Sequence, residues 1–264
     1  MPELPEVEIM ARNLERWLVG ERLVRVDFRD EKLNQRGVEG SLGARVVGAW
    51  RRAKYAVVDL DSETSMVFHY RMTGKTVLDP NKSRRARLWL ETESGTVVAF
   101  EDVRRFGEVW FMPTPELTSF FEAKSIGPEP WPTVRNGVWW SRALSGLRGP
   151  IKPALMRQDR VAGVGNILAS EALFLAQIDP RALVVELDDA DWSALAECMH
   201  AVIERTLAVE SGDEIAYVNM GGEGSFEVYG HAGEPCPRCG AAIERIVQSG
   251  RGTFYCSKCV VGDK

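Results

Sequence analysis

The sequence predicts an α+β protein: an N-terminal helix, an antiparallel β-sandwich or barrel, a helical second half and a small four-cysteine β-hairpin at the end of the chain. Three observations carry that reading. Short β-rich runs fill residues 22–112, helical periodicity takes over after the proline-rich connector GPEPWPT at 127–133, and two Cys-x-x-Cys pairs lie near the C-terminus.

Each element follows from its own pattern. From Pro5 to Leu18 the apolar residues Val7, Met10, Leu14, Trp17 and Leu18 recur at helical spacing, and Gly20 stands where a stop belongs. The runs LVRVDF, ARVVGAW, YAVVDLD, SMVFHYRM, ARLWLET, TVVAF and EVWFM are rich in β-branched and aromatic residues, and Gly and Ser clusters part them. That texture is antiparallel β. Beyond the connector, VWWSRALSGL, IKPALMRQD, NILASEALFLAQ and ADWSALAECMHAVIERTLAV predict four helices, the last strongly amphipathic. RVAGVGN joins two of them by a tight Gly-x-Gly turn, the form of a helix-turn-helix type element whose exposed amides suit a phosphate.

Composition bounds the function. The chain has 264 residues, 45% hydrophobic and 27% charged, enough for one large domain or two to three smaller ones. No apolar run approaches the length of a membrane helix, and the opening lacks the basic start and apolar stretch of a secretory signal, so the expected location is the cytoplasm. The net charge of −5 argues against a polyanion partner. Its distribution argues back: basic residues gather at Arg51, Arg52 and Lys54, at Arg84, Arg85 and Arg87, and at Arg104 and Arg105, and binding answers to the local field.

Four of the five cysteines form the pairs Cys236–Cys239 and Cys256–Cys259, sixteen residues apart. Two-residue spacing lets both thiolates of a turn reach one tetrahedral ion, and two such turns complete a zinc site with bonds of about 2.3 Å. All four positions are filled, so the expected zinc is structural. Cys198 falls among Leu195, Met199, Val202 and Ile203 and reads as a buried thiol. Between the cysteine pairs, SGRGTFY predicts a hairpin tip carrying Arg251, which suits either a grip on a phosphate or an ordinary solvated turn.

The usual nucleophile motifs are missing: no G-x-S-x-G elbow, no Walker loop, no H-E-x-x-H. The opening MPELPEVE supplies an alternative. Once Met1 is removed, Pro2 carries a free secondary amine whose class titrates near pH ~8, and such an amine condenses with an aldehyde-equivalent carbon directly to an iminium. Glu3 and Glu6 beside it can move protons. A helix start explains Pro5 and Glu6 through geometry and the dipole, and it leaves Pro2 unexplained.

MPELPEVE, RRAKY, HYRMTG, DVRRFG, GPEP, VAGVGN and the terminal four-cysteine hairpin, in this order over nearly the whole chain, resemble the formamidopyrimidine-DNA glycosylase family of base-excision repair enzymes. The resemblance implies a catalytic β-sandwich domain over 1–132, a helix-two-turn-helix DNA-binding domain over 133–225 and a zinc finger over 226–264, with DNA bound in the cleft. It implies a monomer acting on damaged double-stranded DNA in a bacterial-type, nucleoid-associated setting. It also implies that the terminal proline attacks C1′, displaces the damaged base, and cleaves the strand through a Schiff base by β- and δ-elimination.

Carried over by motif, Pro2 is the nucleophile and Glu3 the acid and base. Lys54 contacts a phosphate near the lesion and lowers the amine's pKa, and Arg251 completes the catalytic set at the hairpin tip. Met72, Arg104 and Phe106 fill the void left by the extruded nucleotide. His69, Asn166, Lys152 and Tyr229 complete the DNA contacts. Three other readings stand beside this one: an endonuclease VIII-like enzyme for oxidised pyrimidines, a damage-binding protein without turnover, and a zinc-ribbon RNA-binding module. One departure bears on substrate. The stretch MGGEGSFEVYG is shorter than its counterpart in the family motif, and His231 follows V-Y-G where an Arg is common. A shorter lid offers fewer amides to an oxidised purine edge, which predicts good processing of formamidopyrimidine and abasic sites and weaker excision of 8-oxoguanine.

Overall fold

Helix α1 (Leu4–Leu18) starts where its own side chains satisfy the first free amides. The Glu3 amide donates to the Glu6 carboxylate at 2.8 Å and the Glu3 side chain accepts from the Glu6 amide, a reciprocal cap that ends the search for partners at the helix mouth. Leu4, Val7, Met10, Leu14 and Leu18 form one fully buried stripe. The helix stops at Val19, and Gly20 turns the chain away at φ +87°. These features come from a computed structural model that describes residues 1–79, 81, 84–209 and 226–260.

Eight strands follow in two antiparallel sheets. One has the order β1 (Leu23–Phe28), β6 (Ala86–Thr92), β7 (Val97–Glu101), β5 (Lys75–Leu78); the other runs β2 (Val46–Arg52), β3 (Tyr55–Leu60), β4 (Thr64–His69), β8 (Glu108–Pro113). The sheets face each other through Met66, Phe68, Leu88, Val98 and Phe100, all essentially without solvent contact, and Phe68 meets Phe100 edge-on at 6.0 Å. Strand β4 is buried on both faces because α2 (Leu117–Ala123) brings Leu117, Phe120 and Phe121 over Val57, Val67 and Trp110 on its outer side. Two elements go beyond the sequence expectation: β5, short and led by a lysine, and α2, which follows two prolines that read as breakers.

The chain divides into two compact units: Met1–Ser125, and a second that begins at Ile126. The second holds α3 (Gly137–Ala143), α4 (Ile151–Leu155), α5 (Asn166–Leu175) and α6 (Asp189–Val209), then the hairpin β9 (Glu244–Gln248) and β10 (Arg251–Tyr255). Helix α5 is buried at every position from Ile167 to Phe174, as an all-round apolar helix must be. Helix α4 is a single short turn rather than the longer run IKPALMRQD suggests, with Pro153 in its middle.

Candidate active site and zinc centre

The N-terminus sits in a polar enclosure of the first unit. Pro2, Glu3, Glu6 and Lys54 are all buried, Lys54 at 7% exposure beside the tight β2–β3 turn whose Ala53 has φ +52°. Burial is the main influence holding the terminal amine below its ordinary value of 8.0. Glu3 and Glu6 pull it upward, and Lys54 and Arg104 push it down. In the full chain this amine belongs to Met1, and the Pro2 nitrogen is an amide; removing Met1 would make the Pro2 nitrogen the terminal secondary amine, one residue further along the chain. The structure thus places Glu3, Glu6, Lys54 and Arg104 within electrostatic range of the N-terminal amine, next to Pro2 in the chain.

The basic clusters resolve into buried and exposed members. Arg51 has a 3% exposed side chain and pairs with Glu8 at 3.1 Å. Arg87, read from the sequence as part of a surface run, is 4% exposed and lies between Asp30 at 2.7 Å and Asp102 at 3.4 Å. Arg104 stays in solvent with its guanidinium 4.9 Å above the Phe106 ring. Met72 and Phe106, large apolar side chains with core alternatives, are 42% and 53% exposed.

His69 ends β4 and is buried against Tyr55 with ring centres 4.6 Å apart. Burial, and then Arg71, Lys54 and Lys124, drive its pKa down to about 3, so the ring is neutral, and its buried Nδ1 has no hydrogen-bond partner among the described residues. Such a group awaits a ligand or water.

In the second unit the four thiols of Cys236, Cys239, Cys256 and Cys259 converge within 4.8 Å of one another. The Cys236–Cys259 and Cys239–Cys256 sulfur separations are 3.6 and 3.5 Å, close to the spacing of about 3.8 Å that four zinc bonds in a tetrahedron require. The residues fit the metal. Cys198 stands apart and is partly exposed, with burial raising its thiol pKa.

The hairpin tip turns through Ser249 and Gly250, both at positive φ, and presents Arg251 to solvent. Behind it Lys152, 1% exposed, donates to Asn166 Oδ1 at 2.6 Å and to Thr253 Oγ1 at 2.8 Å, and Asn166 Nδ2 donates to the Gly252 carbonyl at 3.0 Å. Lys152 therefore supports the tip from within the protein and presents no charge at the surface. Asn166 is the first residue of α5 rather than its cap, which is Gly165. A cavity of about 450 Å³ flanks the tip, where Arg148 and Arg157 converge with Arg251 over Pro150, Pro153 and Met156. Tyr229 packs on Phe254 of the hairpin, ring centres 5.1 Å apart.

Helix α5 also fastens the chain ahead of the hairpin, a role invisible in the sequence. Glu171, fully buried, accepts from the amides of Glu227, Val228 and Tyr229 at 2.7–2.9 Å and pairs with Arg205 at 3.1 Å. Arg238, inside the first cysteine knuckle, donates to the carbonyls of Phe174 and Leu175 at its other end. The shortened stretch before Phe226 lies outside the described residues. Among the described residues, no helix is long and apolar enough to cross a membrane.

Three family models match in chain order: the formamidopyrimidine-DNA glycosylase N-terminal domain over residues 1–109, the formamidopyrimidine-DNA glycosylase H2TH domain over 126–217, and the zinc finger found in FPG and IleRS over 233–261. The chain is 39% identical to the formamidopyrimidine-DNA glycosylase of Rhizorhabdus wittichii, covering 98% of this chain and 99% of that one, and 34% identical to that of Streptococcus pyogenes, covering 98% of each. The Lactococcus lactis Fpg in complex with abasic-site DNA superposes with a TM-score of 0.88 at 29% identity, covering 98% of this chain and 100% of that one. The MutM (Fpg) protein of Thermus thermophilus superposes at 0.84 with 31% identity and 98% coverage of both chains.

Proposed function

From the premise that the chain belongs to the formamidopyrimidine-DNA glycosylase family, we propose that its repair chemistry runs through the enclosed N-terminus of the first unit. The protein is a base-excision repair DNA glycosylase and abasic-site lyase whose partner is damaged double-stranded DNA, and its four cysteines hold one structural zinc. The observation that carries the assignment of roles is the convergence on the terminal amine of Glu3, Glu6, Lys54 and Arg104, in a setting that keeps the amine below its usual pKa.

After Met1 is removed, the Pro2 nitrogen uses its lone pair to form a bond to C1′, and the bond from C1′ to the damaged base breaks. Glu3 moves the protons as the sugar ring opens to the iminium. Loss of a C2′ proton then expels the 3′ phosphate, and a second elimination expels the 5′ phosphate. Lys54 and Arg251 grip the flanking phosphates, with Arg148 and Arg157 continuing the cationic track beside Arg251. Met72, Arg104 and Phe106 enter the space of the extruded nucleotide, which offsets an extrusion cost of a few kcal/mol. The zinc, when bound, supplies no chemistry to this sequence of steps; Cys236, Cys239, Cys256 and Cys259 would hold it to fix the hairpin. The division into 1–132, 133–225 and 226–264 belongs to the same reading, as do action as a monomer and a place at the nucleoid.

Borohydride trapping on abasic-site DNA tests the assignment. Protein with Met1 removed should be locked covalently to the DNA, and a chain with an uncleaved N-terminal extension should trap at least about a hundredfold less. Full lyase activity with the extension in place would remove Pro2 as the nucleophile. The trapping rate should rise with pH as the Pro2 amine loses its proton and then level off.

A further inference from the structure

The three exposed side chains assigned to the void come from two loops, and both loops pass from one sheet to the other. Residues 70–74 leave β4 for β5, and residues 102–107 leave β7 for β8. The strand pairs His69 with Glu108 and Lys75 with Glu101 close the loops at both bases, so the two crossovers run side by side. Each contains one non-glycine residue at positive φ, Arg71 at +53° and Arg105 at +57°. Each ends on a glycine with no room for a side chain: a Cβ on Gly74 would stand 2.4 Å from the Tyr70 carbonyl oxygen, and one on Gly107 would stand 2.6 Å from the Phe100 ring.

Between the loops lies one hydroxyl. Thr73, next to Met72, donates to the Asp102 carboxylate and accepts from the Arg104 amide at 3.2 Å. The other oxygen of Asp102 accepts from the Gly107 amide at 2.6 Å, and Arg87 holds the Gly107 carbonyl at 2.7 Å. Asp102 is 2% exposed, so its orientation is fixed from below by Arg87 and from above by Thr73. Outside this contact, Arg71 and Glu108 make a second tie at 2.8 Å that is open to water and correspondingly weak.

We propose that Thr73 is a positioning residue: its hydroxyl, through Asp102, joins the two loops into one insert, so that Met72 enters the duplex in step with Arg104 and Phe106. The inference rests on the assignment of those three side chains to the extruded nucleotide's space. An abasic nucleotide has no base to unstack, so its extrusion asks less of the insert than that of a base-bearing lesion.

The test uses the full chain with Met1 removed. Thr73→Val keeps the shape and deletes the hydroxyl; Thr73→Ser keeps the hydroxyl. Single-turnover release of a ring-opened purine should fall about tenfold in Thr73→Val, with borohydride trapping on preformed abasic DNA changed less than about twofold, and Thr73→Ser should restore release. A 2-aminopurine beside the lesion should show a slower fluorescence rise in the valine variant alone. In a Met72→Ala background, Thr73→Val should add little, because the step it serves is already lost. Thr73 is only partly buried and Asp102 keeps the Gly107 amide and Arg87, so the valine chain should fold with a modest fall in melting temperature, and Thr73→Ala provides the same comparison in a second variant. An equal fall on both substrates, no fall at all, additivity with Met72→Ala, or failure of serine to rescue would each overturn the proposal. A wild-type chain that traps no abasic DNA would instead overturn the functional reading, so the two failures are distinct.

Discussion

The two units hold their exposed candidate site residues by opposite means. In the first, a two-sheet core is large enough to bury a charged network, and Asp30, Arg87 and Asp102 fix the loops that carry Met72, Arg104 and Phe106. In the second, Arg251 rides on a two-stranded hairpin that has little core of its own, and a metal site plus the buried Lys152 fix it instead. Where apolar burial is plentiful, ions inside the protein can set geometry at a tolerable desolvation cost. Where it is scarce, a staple has to.

The largest way to break that contrast is to remove the staple. Chelating the zinc should abolish amide-exchange protection across β9 and β10 and weaken DNA binding, while protection in β3 and β4 stays as it was. Equal loss in both units would erase the distinction, and protein purified without chelator that contains no zinc would refute the metal assignment itself. Next is the buried network. Arg87→Met should cost about 3–5 kcal/mol in denaturant unfolding, since it removes the cation paired with the buried Asp102 carboxylate and leaves Asp30 to Arg105, which holds it at 2.9 Å. A cost under about 1 kcal/mol would mean that the core alone holds the loops.

A smaller effect separates the units by acid. His69 is kept neutral with a pKa of about 3, against 6.5 for its ordinary value, so the unfolded chain binds the proton first as the pH falls. The full contribution is present above pH 6.5 and is lost progressively between 6.5 and about 3; by pH 5 the loss is about 2 kcal/mol. His69→Gln should flatten this slope in the melting of the first unit. The smallest change is Arg238→Ala, which removes two donors from the C-terminal carbonyls of α5 and should cost about 1 kcal/mol in the second unit alone.

Much of this arrangement was legible in the sequence. The N-terminal helix, seven strands, four helices and the metal site declare themselves through apolar period and cysteine spacing, because those signals are local. Strand β5 did not, since KTVL is short and follows the tight Gly74 turn; α2 did not, because Pro113 and Pro115 read as breakers although one of them merely starts a helical turn. Pro2 and Glu3 stood out because nothing structural asks for a proline at position 2. The supports of the site were the hidden part. Asp30 and Arg87 are 57 residues apart, and a basic run gives no sign of which member turns inward. Thr73 and Asp102 lay inside quoted motifs, yet only the side-by-side crossovers reveal that they touch. Lys152 carries a charge that argues for the surface, and its oxygen partners, Asn166, Gly252 and Thr253 among them, account for its burial.

Helix α5 has a further consequence for how the protein is made. Its first residue, its middle and its last turn bind Gly252, the 227–229 amides and Arg238, all supplied by chain that leaves the ribosome after α3, α4, α5 and α6. Until those residues arrive, Glu171 is a carboxylate in an apolar helix with only Arg205 to face it. A chain cut before residue 227 therefore leaves the second unit unfinished and should be more open to proteolysis than the whole.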